Sequence, residues 1–110
     1  MQAKTTTSTA QRLSRLADLY QQGQASELMD RTLDKLMTLE AQQSSEQLSE
    51  LQADLVELEE RYGKSSDEFY GLYQSGRTDD RMDFVEWASL VQMRDNLAQR
   101  VRLLTGEDAQ

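Results

Sequence analysis

The stretch that decides the fold is residues 26–63, which read SELMDRTLDKLMTLEAQQSSEQLSELQADLVELEERYG. Good helix formers fill it, Ser26 suits an N-cap and Gly63 suits a helix end. One apolar stripe follows helical spacing and contains Met29, Leu33, Met37, Ala41, Ser44, Leu48, Leu51, Leu55, Leu58 and Tyr62. From Met37 onward the stripe has the seven-residue repeat of a coiled-coil seam. We therefore predict a long coiled-coil-forming helix and a homodimer or higher oligomer, with dimerisation residues Leu48, Leu51, Leu55 and Leu58.

The same stretch allows a second interpretation as a helical hairpin. Ala41 and Ser44 form a weak layer in the stripe, and a capping box at Ser44-Ser45-Glu46-Gln47 would open a new helix there. Residues 41–43 offer no Gly, Pro or Asn on which the chain could turn. We favour one helix over 26–62 and leave open the orientation and the number of chains in the coiled coil.

A short helix is predicted before the long one, over about 9–22. Thr9 suits its N-cap and Gly23 its end. The apolar positions on one face are Leu13, Leu16, Ala17 and Tyr20. Residues 1–8 are polar and small, and we predict that they are disordered.

A pair of helices resembling a helix-turn-helix is predicted over 63–106. Ser65-Ser66-Asp67-Glu68 is a capping box for a short helix that ends at Ser75-Gly76. The last helix runs from about Asp80 to Leu104, with the apolar stripe Phe84, Trp87, Leu90, Val91, Leu97, Val101 and Leu104. The fold class is therefore all-α, with a single helical domain over 9–106 (9–62 and 63–106) and a tail over 107–110.

The composition favours a protein partner over nucleic acid. The chain has 110 residues, 37% hydrophobic residues and a net charge of −8. Residues 36–90 carry four bases and 13 acids, which gives 4 − 13 = −9. Such a segment repels phosphate and attracts a basic protein; an acidic surface kept for solubility is the plainer alternative. DNA binding is disfavoured, and DNA autoregulation is left open.

The residue types argue against catalysis and against cofactors. The chain has no His and no Cys, which excludes Ser-His and Cys-His nucleophiles and most transition-metal sites. Asp79, Asp80, Asp83 and Glu86 lie close together in sequence, but they lack the alternation and the glycine of a calcium loop. We interpret them as helix-start acids or partner contacts. The acids Glu50, Asp54, Glu57, Glu59 and Glu60 are interpreted as a solvated helix face.

The aromatic residues concentrate in 62–87 and have two interpretations. Phe69, Phe84 and Trp87 at helical spacing suit a core between the last two helices. Tyr and Trp also dominate binding hot spots, and we favour that role for Tyr70 and Tyr73.

The block Tyr62-Gly63-Lys64-Ser65-Ser66-Asp67-Glu68-Phe69-Tyr70, then Gly76, Asp79-Asp80, Asp83-Phe84 and Glu86-Trp87, resembles a motif of a family of small uncharacterised prokaryotic proteins. The family pattern is Tyr-Gly-Met-Ser-x-Glu-Glu-Phe, a Gly, Asp-Asp and Asp-Phe-Phe-Glu-Trp. The resemblance covers about 58–104. The chain departs from it at Lys64 for Met, at Arg77-Thr78 after the Gly, and at Val85 for the second Phe.

Members of that family resemble antitoxins encoded beside a small toxin. The resemblance implies a non-catalytic module that covers a basic partner with an acidic, aromatic surface. The resemblance implies that Asp79, Asp80, Asp83 and Glu86 pair with basic side chains of the partner while Phe84 and Trp87 position the helix. With Tyr70 and Tyr73, these are the predicted partner-binding residues. A homodimeric coiled-coil scaffold or adaptor is the alternative function.

No apolar run approaches the roughly 20 residues of a membrane span, and the first residues do not resemble a signal peptide. We expect a cytoplasmic protein without a membrane partner.

Overall fold

The computed structural model describes residues 8–107, which form four helices and no strand. These are α1 (Thr9–Gln21), α2 (Glu27–Tyr62), α3 (Ser66–Gln74) and α4 (Met82–Thr105). The all-α prediction is confirmed, including the long helix and the C-terminal helix pair. The chain divides into an N-terminal unit, Met1–Leu36, and a C-terminal unit, Met37–Gln110. Each is described by itself, and the single domain over 9–106 stays a prediction.

In the N-terminal unit, the N-cap of α1 lies one residue before the predicted cap. Ser8 is the N-cap: its hydroxyl accepts from the Gln11 amide at 3.1 Å, and the Gln11 side chain accepts from the Ser8 amide at 2.9 Å. Thr9 is therefore the first helical residue and not the cap. Ser8 is ordered by this capping box, and the rest of the segment predicted to be disordered, 1–7, lies outside the described residues. The helix ends before Gly23, whose φ of 70° is favourable for glycine.

The long helix α2 is continuous, so the hairpin interpretation of 41–47 is wrong. Ser26 caps it by accepting from the Met29 amide at 3.2 Å. Ser44 does not open a new helix. It lies buried in the middle of α2, where its hydroxyl accepts from Arg100 Nε at 2.9 Å. The weak layer in the apolar stripe is thus the place where a side chain from α4 docks.

Within the C-terminal unit, α4 runs antiparallel to α2. Asp83, at the start of α4, accepts from Arg61 at 2.9 Å near the end of α2. Arg100, near the end of α4, contacts Ser44 and Glu40. Antiparallel neighbours of this kind bury the facing stripes of both helices.

The core of the C-terminal unit contradicts the predicted use of the leucine seam. Leu51, Leu55 and Leu58 are 7%, 3% and 7% exposed, and they pack in one cluster with residues of α3 and α4. Leu48 is partly buried. Because α3 and α4 already cover these leucines, they have little surface left for a second copy. For Leu51, Leu55 and Leu58 the assignment as dimerisation residues is replaced by a place in the core of one chain, and for Leu48, which lies outside that cluster, it stays a prediction.

The short helix α3 is tied to the end of α2. Ser65 caps it by accepting from the Glu68 amide at 3.1 Å, which is one half of the predicted capping box. The free amide of Ser66 donates to the Glu59 carboxylate of α2 at 2.8 Å. Glu59 therefore belongs to a helix cap and not to the solvated face to which the sequence assigned it.

The last helix begins two residues later than predicted, at Met82. Asp79 does not lie in the first turn of α4. It lies in the preceding loop, where its carboxylate accepts from the Arg81 amide at 3.0 Å. Gly106 ends α4 with a φ of 81°. Of the predicted tail, Glu107 is described and 108–110 lie outside the described residues. None of the described helices has both the length and the apolar character needed to cross a bilayer.

Candidate functional site

The aromatic residues of 62–87 form one cluster at the end of the C-terminal unit, with Trp87 at its centre. Trp87 is 0% exposed and stacks on Phe69 with centroids 3.9 Å apart and planes 2° from parallel. Tyr62 lies 5.7 Å away from it. The indole N–H donates to the buried Ser66 hydroxyl at 2.9 Å. Direct contact between Trp87 and a partner is therefore excluded, and the core interpretation is correct for Trp87 and Phe69.

The other predicted aromatic contacts are partly buried in the same cluster. Tyr73 lies 5.6 Å from Phe69, and Phe84 lies 5.0 Å from Tyr62. The Tyr70 hydroxyl accepts from the Gln92 side chain of α4 at 2.8 Å. Tyr70 thus joins α3 to α4, and Tyr73 packs on Phe69 within α3; the role of both as partner anchors stays a prediction.

Asp79 and Arg81 form a closed pair in the loop before α4. The carboxylate accepts from Arg81 Nε at 2.9 Å and from Nη2 at 2.7 Å. These bonds lower the pKa of Asp79 to about 2. The guanidinium also lies over the Phe84 ring, 4.6 Å from its centroid. A bidentate pair of this kind leaves Asp79 little capacity for a cation on a partner.

Asp83 is engaged in the same way. Its carboxylate accepts from the Tyr62 hydroxyl at 2.6 Å and from Arg61 at 2.9 Å. The hydrogen bond from Tyr62, together with that from Arg61, lowers the pKa of Asp83. This arrangement clamps the start of α4 to the end of α2, so the role of Asp83 within the chain is structural.

Basic side chains also gather around the loop before α4, although residues 36–90 are acidic overall. The four bases of residues 36–90 are Arg61, Lys64, Arg77 and Arg81. Lys64 and Arg77 line a pocket of about 220 Å³ with Tyr62, Phe84 and neighbouring residues. Arg61 and Arg81 contact Asp83 and Asp79 beside it. The predicted acidic surface is therefore largely neutralised here, and of its eight residues Asp80 and Glu86 are the exposed carboxylates outside these pairs.

A more strongly acidic site lies on the flank of the unit, between α2 and α4. A cleft of about 210 Å³ is lined by Asp54, Glu57, Leu58, Arg61, Glu86 and Leu90. Asp54, Glu57 and Leu58 share a helical face because they lie three and four residues apart. Three carboxylates surround a partly apolar floor, while the one base, Arg61, is bound to Asp83.

This cleft suits the side chain of a lysine or an arginine. Such a side chain needs apolar surface for its methylene stem and acceptors for its charged head. The carboxylates of Asp54, Glu57 and Glu86 provide the acceptors, and Leu58, which is 7% exposed, and Leu90 add a small apolar surface. Within residues 8–107, no three His, Cys, Asp or Glu side chains are grouped closely enough to hold a metal ion.

Sequence reasoning identified Glu86 but missed Asp54 and Glu57, which it assigned to a solvated face. The signal was present in the spacing, since both residues adjoin the apolar stripe at Leu55 and Leu58. The spacing alone does not predict a cleft, because Glu86 comes to lie opposite Asp54 and Glu57 only through the packing of α4 on α2.

Comparison of the chain with protein-family models, with curated proteins and with solved structures gave no match. The resemblance to antitoxins therefore stays a prediction.

Proposed function

We propose that this chain is a non-catalytic protein-protein interaction module that binds a basic partner through the acidic cleft of its C-terminal unit. The observation that carries the proposal is the cleft itself, in which Asp54, Glu57 and Glu86 surround Leu58 and Leu90. The resemblance to antitoxins makes a small basic toxin the first partner class to test.

The charge of the unit supports a basic partner. Residues 37–110 contain 7 bases and 16 acids, which gives 7 − 16 = −9. A field of this sign accelerates the approach of a positively charged protein and disfavours nucleic acid. The cleft then gives the partner a fixed point at which a lysine or arginine is partly desolvated.

The interface proposed here differs from the one expected from the sequence. Asp79 and Asp83 are paired with Arg81 and Arg61, and Trp87 is buried. Glu86 remains from the predicted set, and Asp80 contributes as an exposed charge. Asp54 and Glu57 replace the aromatic residues as the principal contacts.

The test is a calorimetric titration of the full chain with the basic product of the adjacent gene. The triple variant Asp54→Asn, Glu57→Gln, Glu86→Gln is compared with Glu46→Gln, Glu50→Gln, Glu68→Gln, which removes the same charge from exposed positions. We expect the cleft variant to lose at least about tenfold more affinity, because desolvated charge pairs contribute more than exposed ones. Binding should also weaken with added salt.

Equal losses in both triple variants would mean that only net charge matters and that the cleft is not the interface. Unchanged binding in both would remove the acidic unit from the interaction altogether.

The alternative function, a homodimeric scaffold built on the leucine seam, has lost its original support because Leu51, Leu55 and Leu58 are covered within the chain.

A further inference from the structure

The N-terminal unit leaves its apolar side chains in contact with water. None of residues 8–36 is buried. Leu13 is 51% exposed and Tyr20 is 38% exposed. The two helices are joined at one end by the Tyr20 hydroxyl, which donates to Asp30 at 2.7 Å. Along the rest of their length they form an open apolar groove of about 420 Å³, lined by Leu13, Leu16, Ala17, Tyr20, Gln21 and Leu33.

Such a hairpin gains little stability by itself. α1 has 13 residues, and isolated helices shorter than about 12–15 residues are marginal in water. Helices in proteins are stabilised mainly by burial of an apolar face. Here the apolar face is formed but remains open, so an additional apolar surface is needed to close it.

The charges of the unit favour a second copy as the occupant. Residues 1–36 contain 5 bases and 4 acids, a sum of +1, against −9 for residues 37–110. Two N-terminal units therefore approach each other without the repulsion that two acidic units would experience. A basic partner, by contrast, gains no electrostatic attraction from this groove.

The two helices of the unit are also complementary to each other in sign. Residues 9–21 carry Arg12, Arg15 and Asp18, a sum of +1, and residues 27–36 carry two bases and three acids, a sum of −1. In a two-fold symmetric contact that places each helix against the other helix of the second copy, opposite charges are brought together.

We propose that the groove between α1 and the start of α2 is the interface for a second copy of this chain. Two α1–α2 hairpins pack groove against groove, and Leu13, Leu16, Ala17 and Leu33 of both copies form the core of a four-helix bundle. The interface is isologous, and it does not involve the leucines of the C-terminal core.

The test measures mass by sedimentation equilibrium over a range of concentrations. The full wild-type chain should form a dimer of roughly 25 kDa, twice its 12.6 kDa. Leu13→Gln and Ala17→Glu change exposed groove residues, and each should raise the dimer dissociation constant at least about tenfold, as loss of an interface anchor does. Leu28→Gln is the matched control, since Leu28 is 74% exposed and does not line the groove. This control should dimerise like the wild type.

Trp87 fluorescence, which reports on the C-terminal unit, should be the same in all variants and shows that this unit is folded in each of them. A wild-type chain that stays monomeric at several hundred micromolar would overturn the proposal. So would groove variants that dimerise as tightly as Leu28→Gln, because the interface would then lie elsewhere. Neither result depends on a basic partner, so the proposed function is tested independently.

Discussion

At the residue scale, the carboxylates of 79–86 illustrate how local chemistry removes a predicted binding role. Asp79 accepts from the backbone and from the guanidinium of Arg81, and Asp83 accepts from Tyr62 and Arg61. Tyr62 and Arg61 are far from Asp83 in sequence and reach it only in the folded chain. Arg81 reaches Asp79 within the loop before α4. A carboxylate engaged in this way stabilises the fold of its own chain.

The pKa of Asp79 provides a direct test of its pairing with Arg81. In the wild type, we expect its carboxyl carbon to titrate by NMR with a pKa of about 2, against an ordinary value of 3.8. Arg81→Gln removes the guanidinium bonds and should return the pKa most of the way to 3.8. Because the folded pKa is the lower one, any contribution of this pair to stability is present above about pH 4 and is lost as the pH falls towards 2. An Asp79 pKa that does not change in Arg81→Gln would contradict the pairing.

At the scale of the element, α2 has two different apolar roles along one stripe. From Leu51 to Leu58 the stripe is covered by α3 and α4 of the same chain. At Leu33 it faces the groove of the N-terminal unit. A regular leucine repeat therefore does not identify its partner, since an antiparallel helix of the same chain satisfies it as well as a second chain does.

Adjacent residues of α2 allow the covered face to be tested with a matched control. Leu55 is 3% exposed and Val56 is 47% exposed. Leu55→Ala should lower the free energy of unfolding by about 2–5 kcal/mol, because it leaves a cavity in the core. Val56→Ala should change it by no more than about 0.5 kcal/mol. Urea denaturation followed by Trp87 fluorescence measures both.

The same experiment separates a core from a dimer seam. If Leu55 belongs to the core of one chain, the loss of unfolding free energy in Leu55→Ala does not depend on protein concentration. If Leu55→Ala weakens dimerisation and leaves the stability of the monomer unchanged, Leu55 belongs to a dimer interface.

At the scale of the whole molecule, charge and burial are divided between the two units. The C-terminal unit contains all the buried hydrophobic side chains of the described residues and carries a charge of −9. The N-terminal unit has no buried residue among 8–36 and a charge of +1. On this division we base the two proposals, partner binding for the C-terminal unit and self-association for the N-terminal unit.

Hydrogen exchange should show this division. At a concentration low enough for monomers, amides of α1 should exchange roughly tenfold or more faster than those of α4 near Trp87 and Val91, because local opening costs less where nothing is buried. Raising the concentration into the dimer range should slow exchange in α1 and leave α4 unchanged. Equal protection of both helices in the monomer would show that the N-terminal hairpin is stable without a second copy.

The sequence by itself determined the elements of this protein and the class of its surface. Residues 26–63 specify a long helix through their composition and caps, Gly23 and Gly63 mark helix ends, and the acidic balance follows from counting charges. Such properties are local or additive, so they are available without a fold. The core positions Phe69 and Trp87 also followed from helical spacing.

Only the tertiary structure decided which surfaces remain free. The antiparallel register of α4 on α2 covers Leu51, Leu55 and Leu58, docks Arg100 on Ser44, and brings Glu86 opposite Asp54 and Glu57. The same packing pairs Asp83 with Arg61. Contacts between residues far apart in sequence depend on how helices pack. The sequence of an apolar stripe, or the position of a carboxylate, does not identify the group that it contacts.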